Sequence, residues 1–225
     1  MTIKWEEEYQ AFAARKETAA KSDAVPGFLP VVDNVHLFNP PLLPVGAAEA
    51  EALLGGPFYT SPIPDSGRPA VNVVFVQSQP TPGQIYGNTG AKNPGDLGGG
   101  KTDLHAVYEG LSRVASDGVL AGANTIRPDE DNPISRVFFT LWRDEMINFR
   151  TALGKKRHPD QIIATASGNL EMDKILLFNL PPKLNVRIFI LTTHAGALRL
   201  DQQAQSRQVT IIVAGDAGEG GKELD

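Results

Sequence analysis

The chain has 225 residues, 41% hydrophobic and 21% charged, with a formal net charge of -5; this is a globular composition, long enough to bury a sizeable core in one large domain or two small ones. The acidic balance, with no Lys/Arg run, argues against a nucleic-acid partner, and no apolar run approaches the ~20 residues of a membrane span. The absence of cysteine excludes disulfides and thiolate metal sites and fits a cytoplasmic protein.

The opening MTIKWEEEYQ is acidic and has no apolar segment, so no signal peptide is expected. Residues 1–22 read as a helix, because Trp5, Tyr9 and Phe12 fall at i, i+4 and i+7 with charges on the other faces. That stripe suits a docking helix or an oligomer contact. Residues 23–69 are broken by many prolines, with a short helix expected over Ala47 to Gly56. This organisation divides the chain into an N-terminal leader, 1–68, packing on an α/β domain, 69–225.

The expected core starts at Ala70 to Ser78, a valine-rich buried strand closed by Gln-Pro-Thr-Pro-Gly. A glycine-rich loop, Gly87 to Lys101, follows; it lacks the glycine spacing of a phosphate-binding P-loop and reads as mobile. Thr102 caps an expected helix whose buried stripe is Leu104, Val107, Leu111 and Val114. Asp117 to Leu120 is a short strand, and Val137 to Gly154 is expected to be a second helix with a glycine C-cap. Phe138, Trp142, Phe149 and Leu153 at its helical spacing read as core or interface. Gln161 to Gly168, Val186 to Gly196 and Val209 to Asp216 are further strands. Alternating strands and helices predict an α/β fold with a largely parallel sheet.

The strand endings carry the functional signal. The strands at Leu120, Ala164, Leu191 and Val213 run into small or hydroxyl residues. In open α/β sheets ligands bind outside the carboxyl ends of the strands, where glycine lets a ligand approach and hydroxyls donate to phosphate or ribose oxygens. Each ending taken singly is also an ordinary turn, and no G-x-G-x-x-G follows the first strand. Four histidines are scattered without metal-ligand spacing. His105 reads as structural and His158 as a surface residue. His194, after two threonines, is the best placed for a site, with a structural role as the simpler account.

Three segments resemble the reductase family of riboflavin biosynthesis, the reductase domain often fused to a pyrimidine deaminase. The strongest is LSRVASDGVLAGANTIRPDEDNP, where Asp117, Gly122, Ala123, Thr125, Asp129, Asp131, Asn132 and Pro133 match the family pattern. RHPDQIIATASGNLEMD and FILTTHAG are weaker matches, and the resemblance spans about Pro69 to Asp225. It implies a dihydrofolate reductase-like three-layer α/β/α sandwich, a homodimer, and NADPH-dependent reduction of a phosphoribosylaminopyrimidine, ribose to ribityl. It places Gly122, Ala123 and Thr125 at the cofactor's pyrophosphate or nicotinamide ribose. Thr165, Ser167 and Gly168 would lie at the adenosine ribose and its 2′-phosphate, and Thr192 and Thr193 on the next strand. Ser78, Asp129, Asp131 and Arg136 would bind the substrate, Arg136 through its phosphate.

The chain departs from that family in three places. The family's Ser-Leu-Asp-Gly loop is here Ser-Gln-Pro-Thr-Pro-Gly, so the aspartate is lost, with Ser78 and Gly83 in the corresponding places. A helix is expected between Pro133 and Arg157. The chain stops at GEGGKELD, where the family continues, so a truncated product is expected. These departures leave two readings open: an NADPH-dependent reductase, or a nucleotide-binding or structural homologue of the same fold without turnover.

Overall fold

Short β-rich runs become strands in the computed structural model, which describes residues 3–22, 43–45, 58–60, 71 and 113–214. Beside helix α1 (Trp5–Ser22), these residues form β1 (Leu43–Val45), β2 (Phe58–Thr60), β3 (Gly118–Gly122), helix α2 (Asp144–Ala152), β4 (Asp160–Thr165), β5 (Ile188–Thr192), helix α3 (His194–Gln205) and β6 (Val209–Val213). β1 and β2 pair antiparallel. The other strands make one sheet in the order β3-β4-β5-β6, every neighbouring pair parallel. With its helices this is an α/β fold. The strand expected over Ala70 to Ser78, the glycine-rich loop, the helix from Thr102 to Leu111, the short helix near Ala47, His105, Ser78 and Gly83 lie outside the described residues.

The described residues fall into two units. The first holds 3–20, 117–140 and 158–214, and with them the parallel sheet; the second holds 21–22, 43–45, 58–60, 71, 113–116 and 141–157. In the sheet, period-two alternation sorts the side chains. Gln161, Ile163 and Thr165 share a face with Ile188, Ile190 and Thr192, and all six are buried. On the opposite face Ile162, Ala164, Phe189 and Leu191 are half-buried, and the outer positions Leu120 and Ile212 are exposed. Ile126, Ile163, Met172, Ile175, Leu176, Leu177, Ile190 and Leu200 are fully buried. Each such side chain contributes about 1.5–3 kcal/mol of burial free energy.

α1 forms as expected. Three glutamates in its first turn oppose the helix dipole. Tyr9, Phe12 and Ala13 are buried within the chain, so the aromatic stripe docks the helix on its own protomer. Two ion pairs hold it there: Glu8 with Arg136 at 2.9 Å and Glu6 with Lys183 at 2.7 Å. Lys183, and after it Gln10, hold the Glu6 carboxyl below its ordinary range.

The helix expected over Val137 to Gly154 forms only over Asp144–Ala152. Val137 to Trp142 is β-branched and aromatic, a composition that disfavours helix. Its backbone is held by a side chain instead: the Gln161 carboxamide accepts from Phe139 N at 3.1 Å and donates to Phe139 O at 2.9 Å and Pro159 O at 2.8 Å. The expected glycine cap is present. Gly154 has φ +70°; its N–H donates to Thr151 O, and Lys155 N donates to Arg150 O, the paired bonds of a Schellman ending.

In the second unit, Val114, Leu141, Met146 and Phe149 form a small apolar core. Arg150 is fully buried beside it in the sequence. Its guanidinium donates to the carbonyls of Arg113 (2.7 Å), Val114 (3.0 Å), Ser116 (2.6 Å) and Lys156. The first three carbonyls precede β3 and that of Lys156 precedes β4, and without a donor their burial would be costly.

The remaining strands end earlier or later than the sequence suggests. β3 runs past Leu120 to Gly122, because Ala121 and Gly122 stay in register with Ile163 and Ala164. β4 stops at Thr165. β5 stops at Thr192, and the His-Ala-Gly taken as its ending opens α3, which sequence reading missed. Gln, Asp and Arg dominate this helix and only Gly196, Leu200 and Ala204 are buried, so its apolar period is faint.

Candidate functional site

Parallel pairing brings the carboxyl ends of four strands into one row. Gly122 of β3 is level with Ala164 of β4; Thr165 is level with Thr192 of β5, and Thr192 with Val213 of β6. Gly122, Thr165 and Thr192, three of the residues singled out in the sequence, thus share an edge. Ala123 and Thr125 lie in the 3-10 turn that leaves it, and Ser167, Gly168 and Thr193 in the loops just beyond.

These residues divide by what holds them. Thr193 Oγ1 donates to Ala166 O at 2.8 Å and accepts from Gly196 N at 3.1 Å, so it is the N-cap of α3. Its one O–H is used by the fold, which leaves it no donor for a cofactor oxygen. Thr165 Oγ1 accepts from Gly168 N at 3.1 Å, and Ser167 Oγ accepts from Asn169 N at 3.3 Å. Both close the turn after β4. Gly168, at φ +66°, is packed against Gly196; a Cβ on it would lie 2.8 Å from the Gly196 Cα. The fold therefore demands glycine there whatever binds nearby. Thr192 is buried behind the first turn of α3, and its Oγ1 has no partner.

Gly122 is different. Its backbone is ordinary extended chain, φ -72° and ψ 151°. A Cβ added to it would meet no atom of the described residues within 4 Å. Nothing in the described residues requires glycine here, and the residue is exposed at a strand end. Ala123, next to it, is buried, and its carbonyl accepts from Ile126 N and Arg127 N, both at 3.1 Å. Thr125 is exposed.

Two of the acidic and basic substrate candidates are engaged by other side chains or backbone, and the third is exposed. Asp129 Oδ1 accepts from Asn132 N at 2.6 Å and from Asn132 Nδ2 at 3.1 Å, so it closes its own loop. Asp131 is exposed. The Arg136 guanidinium, expected at a phosphate, is engaged by Glu8 of α1: Nε and Nη2 both lie 2.9 Å from Glu8 Oε2. His194 is exposed at the start of α3. His158 is half-buried rather than on the surface; its Nδ1 lies 2.7 Å from Thr140 Oγ1 and its ring 5.2 Å from that of Phe138. It precedes β4, at the amino end of the sheet.

One residue of the edge was not singled out in the sequence. Arg127 lies one turn beyond Gly122. Its Nη1 donates to Asn124 Oδ1 at 2.7 Å, and among the described residues its Nε is buried with no partner and no ion pair engages it. The motif GANTIRP contains both residues, and the signal was the Asn-x-x-Arg spacing, which brings the two side chains together across a single turn. Comparison with protein-family models, with curated proteins and with solved structures finds no match to this chain.

Proposed function

We propose that the chain is an NADPH-dependent reductase of the riboflavin-biosynthesis kind, acting on a phosphoribosylaminopyrimidine-type substrate in the cytoplasm as a homodimer. The proposal includes a dihydrofolate reductase-like three-layer sandwich around the parallel sheet. The observation that carries it is Gly122: a glycine that none of the described residues requires, at the carboxyl end of a parallel strand, inside the segment that most resembles that family. Open space above such a backbone suits the close approach of a cofactor phosphate or ribose. Among the described residues no helix is long and apolar enough to cross a membrane.

The residues present fit a phosphate-bearing cofactor at this edge. Gly122, Ala123 and Thr125 would border it at β3, and Thr165, Ser167, Gly168 and Thr192 would form the floor at β4 and β5. When bound, NADPH supplies the hydride. The chain's own part is placement: rigid turns fixed by the Thr165 and Thr193 hydroxyls hold the strand ends in a row. Incubation with NADPH and a phosphoribosylaminopyrimidine should consume NADPH and yield the ribityl product.

A second reading, a nucleotide-binding homologue without turnover, is favoured by one observation. Arg136, the residue expected at the substrate phosphate, is paired with Glu8. NADPH binding with no consumption of NADPH in the same assay would select this second reading.

A further inference from the structure

We propose that Arg127 is an anion-binding residue, its guanidinium receiving a phosphate oxygen of a ligand that lies over the end of β3. A guanidinium is always charged and carries five donors. In Arg127 one donor is engaged by a neutral carboxamide, at 2.7 Å, and Nε is buried without a partner. Among the described residues no carboxylate pairs with it, although Asp129, Glu130 and Asp131 follow within a few residues. A buried donor left unbonded costs free energy, and the half-buried guanidinium has no opposite charge beside it among the described residues. Arg207 in the same unit also has a buried Nε without a partner, but its guanidinium pairs with Asp173; Arg187 pairs with Asp160 and Arg136 with Glu8.

The position adds a direction. The Arg127 N–H donates to Ala123 O, so its backbone is fixed to the turn that opens at Gly122. Asn124 fixes the plane of the guanidinium from the same turn. Nη1 is the one guanidinium nitrogen with a bond to the described residues, which leaves Nη2 as well as the buried Nε without a partner among them, on a turn beside the end of β3. A planar, pre-oriented cation of this kind suits a phosphate oxygen. The inference rests on the reading above only in taking this edge as the ligand-bearing one.

Arginine Nε–H signals of the 15N-labelled chain test it directly. Titration with inorganic pyrophosphate, ribose 5-phosphate and NADPH should move the Arg127 signal saturably with at least one of them. NADPH or pyrophosphate alone would place a cofactor phosphate there, and ribose 5-phosphate alone a substrate phosphate. Arg127→Gln assigns the signal and should weaken the responding ligand by about tenfold or more in calorimetry, the loss of one charge-assisted bond. Arg127→Lys should recover part of it. An unmoved Arg127 signal with all three ligands, or unchanged affinity in Arg127→Gln, would overturn the proposal. A pyrophosphate response without NADPH binding would leave Arg127 standing and remove the reductase reading; NADPH binding with a still Arg127 signal would do the reverse.

Discussion

Two glycines at the same sheet edge are held by opposite reasons, and substitution separates them. Gly168 needs its positive φ and its contact with Gly196. Gly168→Ala should therefore destabilise the chain by about 2 kcal/mol or more, read as a shift in the urea midpoint. Gly122→Ala meets no atom of the described residues and an ordinary backbone, so stability should stay within about 0.5 kcal/mol while NADPH affinity falls. Equal destabilisation by both would contradict the distinction. The sequence displayed both glycines alike, as strand endings, because steric demand depends on what packs opposite, and α3 was not visible. The hydroxyls teach the same lesson. Thr165 and Thr193 suited a phosphate in the sequence, yet local backbone N–H groups and a carbonyl reach them first.

Gln161 is another residue whose type conflicted with its position. It shares the buried face with Ile163 and Thr165, where a polar side chain must be bonded. Gln161→Leu keeps the volume but strands Phe139 N, Phe139 O and Pro159 O. It should cost about 2–4 kcal/mol in chemical denaturation; a cost under about 0.5 kcal/mol would show that water replaces the carboxamide without loss.

At the scale of elements, the helix–strand alternation was legible because β4, β5 and β6 are runs of Ile, Val, Phe and Leu bounded by polar turns. α1 and the Gly154 ending of α2 were legible for the same kind of reason, a clear apolar stripe and a glycine stop. The failures were α3, whose buried face is only Gly196, Leu200 and Ala204, and the first half of the expected second helix. There a side chain remote in sequence, Gln161, bonds both backbone groups of Phe139, and no local period reports that. Arg150 joins elements in the second unit in a similar way. Arg150→Met, close in volume, leaves four carbonyls without their donor. Unfolding free energy should drop by about 3 kcal/mol or more; a variant as stable as the parent would show that those carbonyls find other partners.

At the scale of the whole molecule, the α/β class follows from the four parallel strands. The proposed site would lie at their shared carboxyl edge, where β3 ends at Gly122, Arg127 follows bonded to Ala123, and Thr165 is level with Thr192. That convergence was readable only in part, since register aligns Thr165 with Thr192 across separate segments, and the Asn124–Arg127 bond depends on the turn between them. The central claim is that this edge holds a phosphate-bearing nicotinamide cofactor. Calorimetry of the intact chain with NADPH, and with NADH as comparator, tests it most directly. The account predicts saturable NADPH binding, weaker NADH binding, and a loss of NADPH affinity in Gly122→Ala. A chain shown folded by circular dichroism that binds neither nucleotide would contradict it.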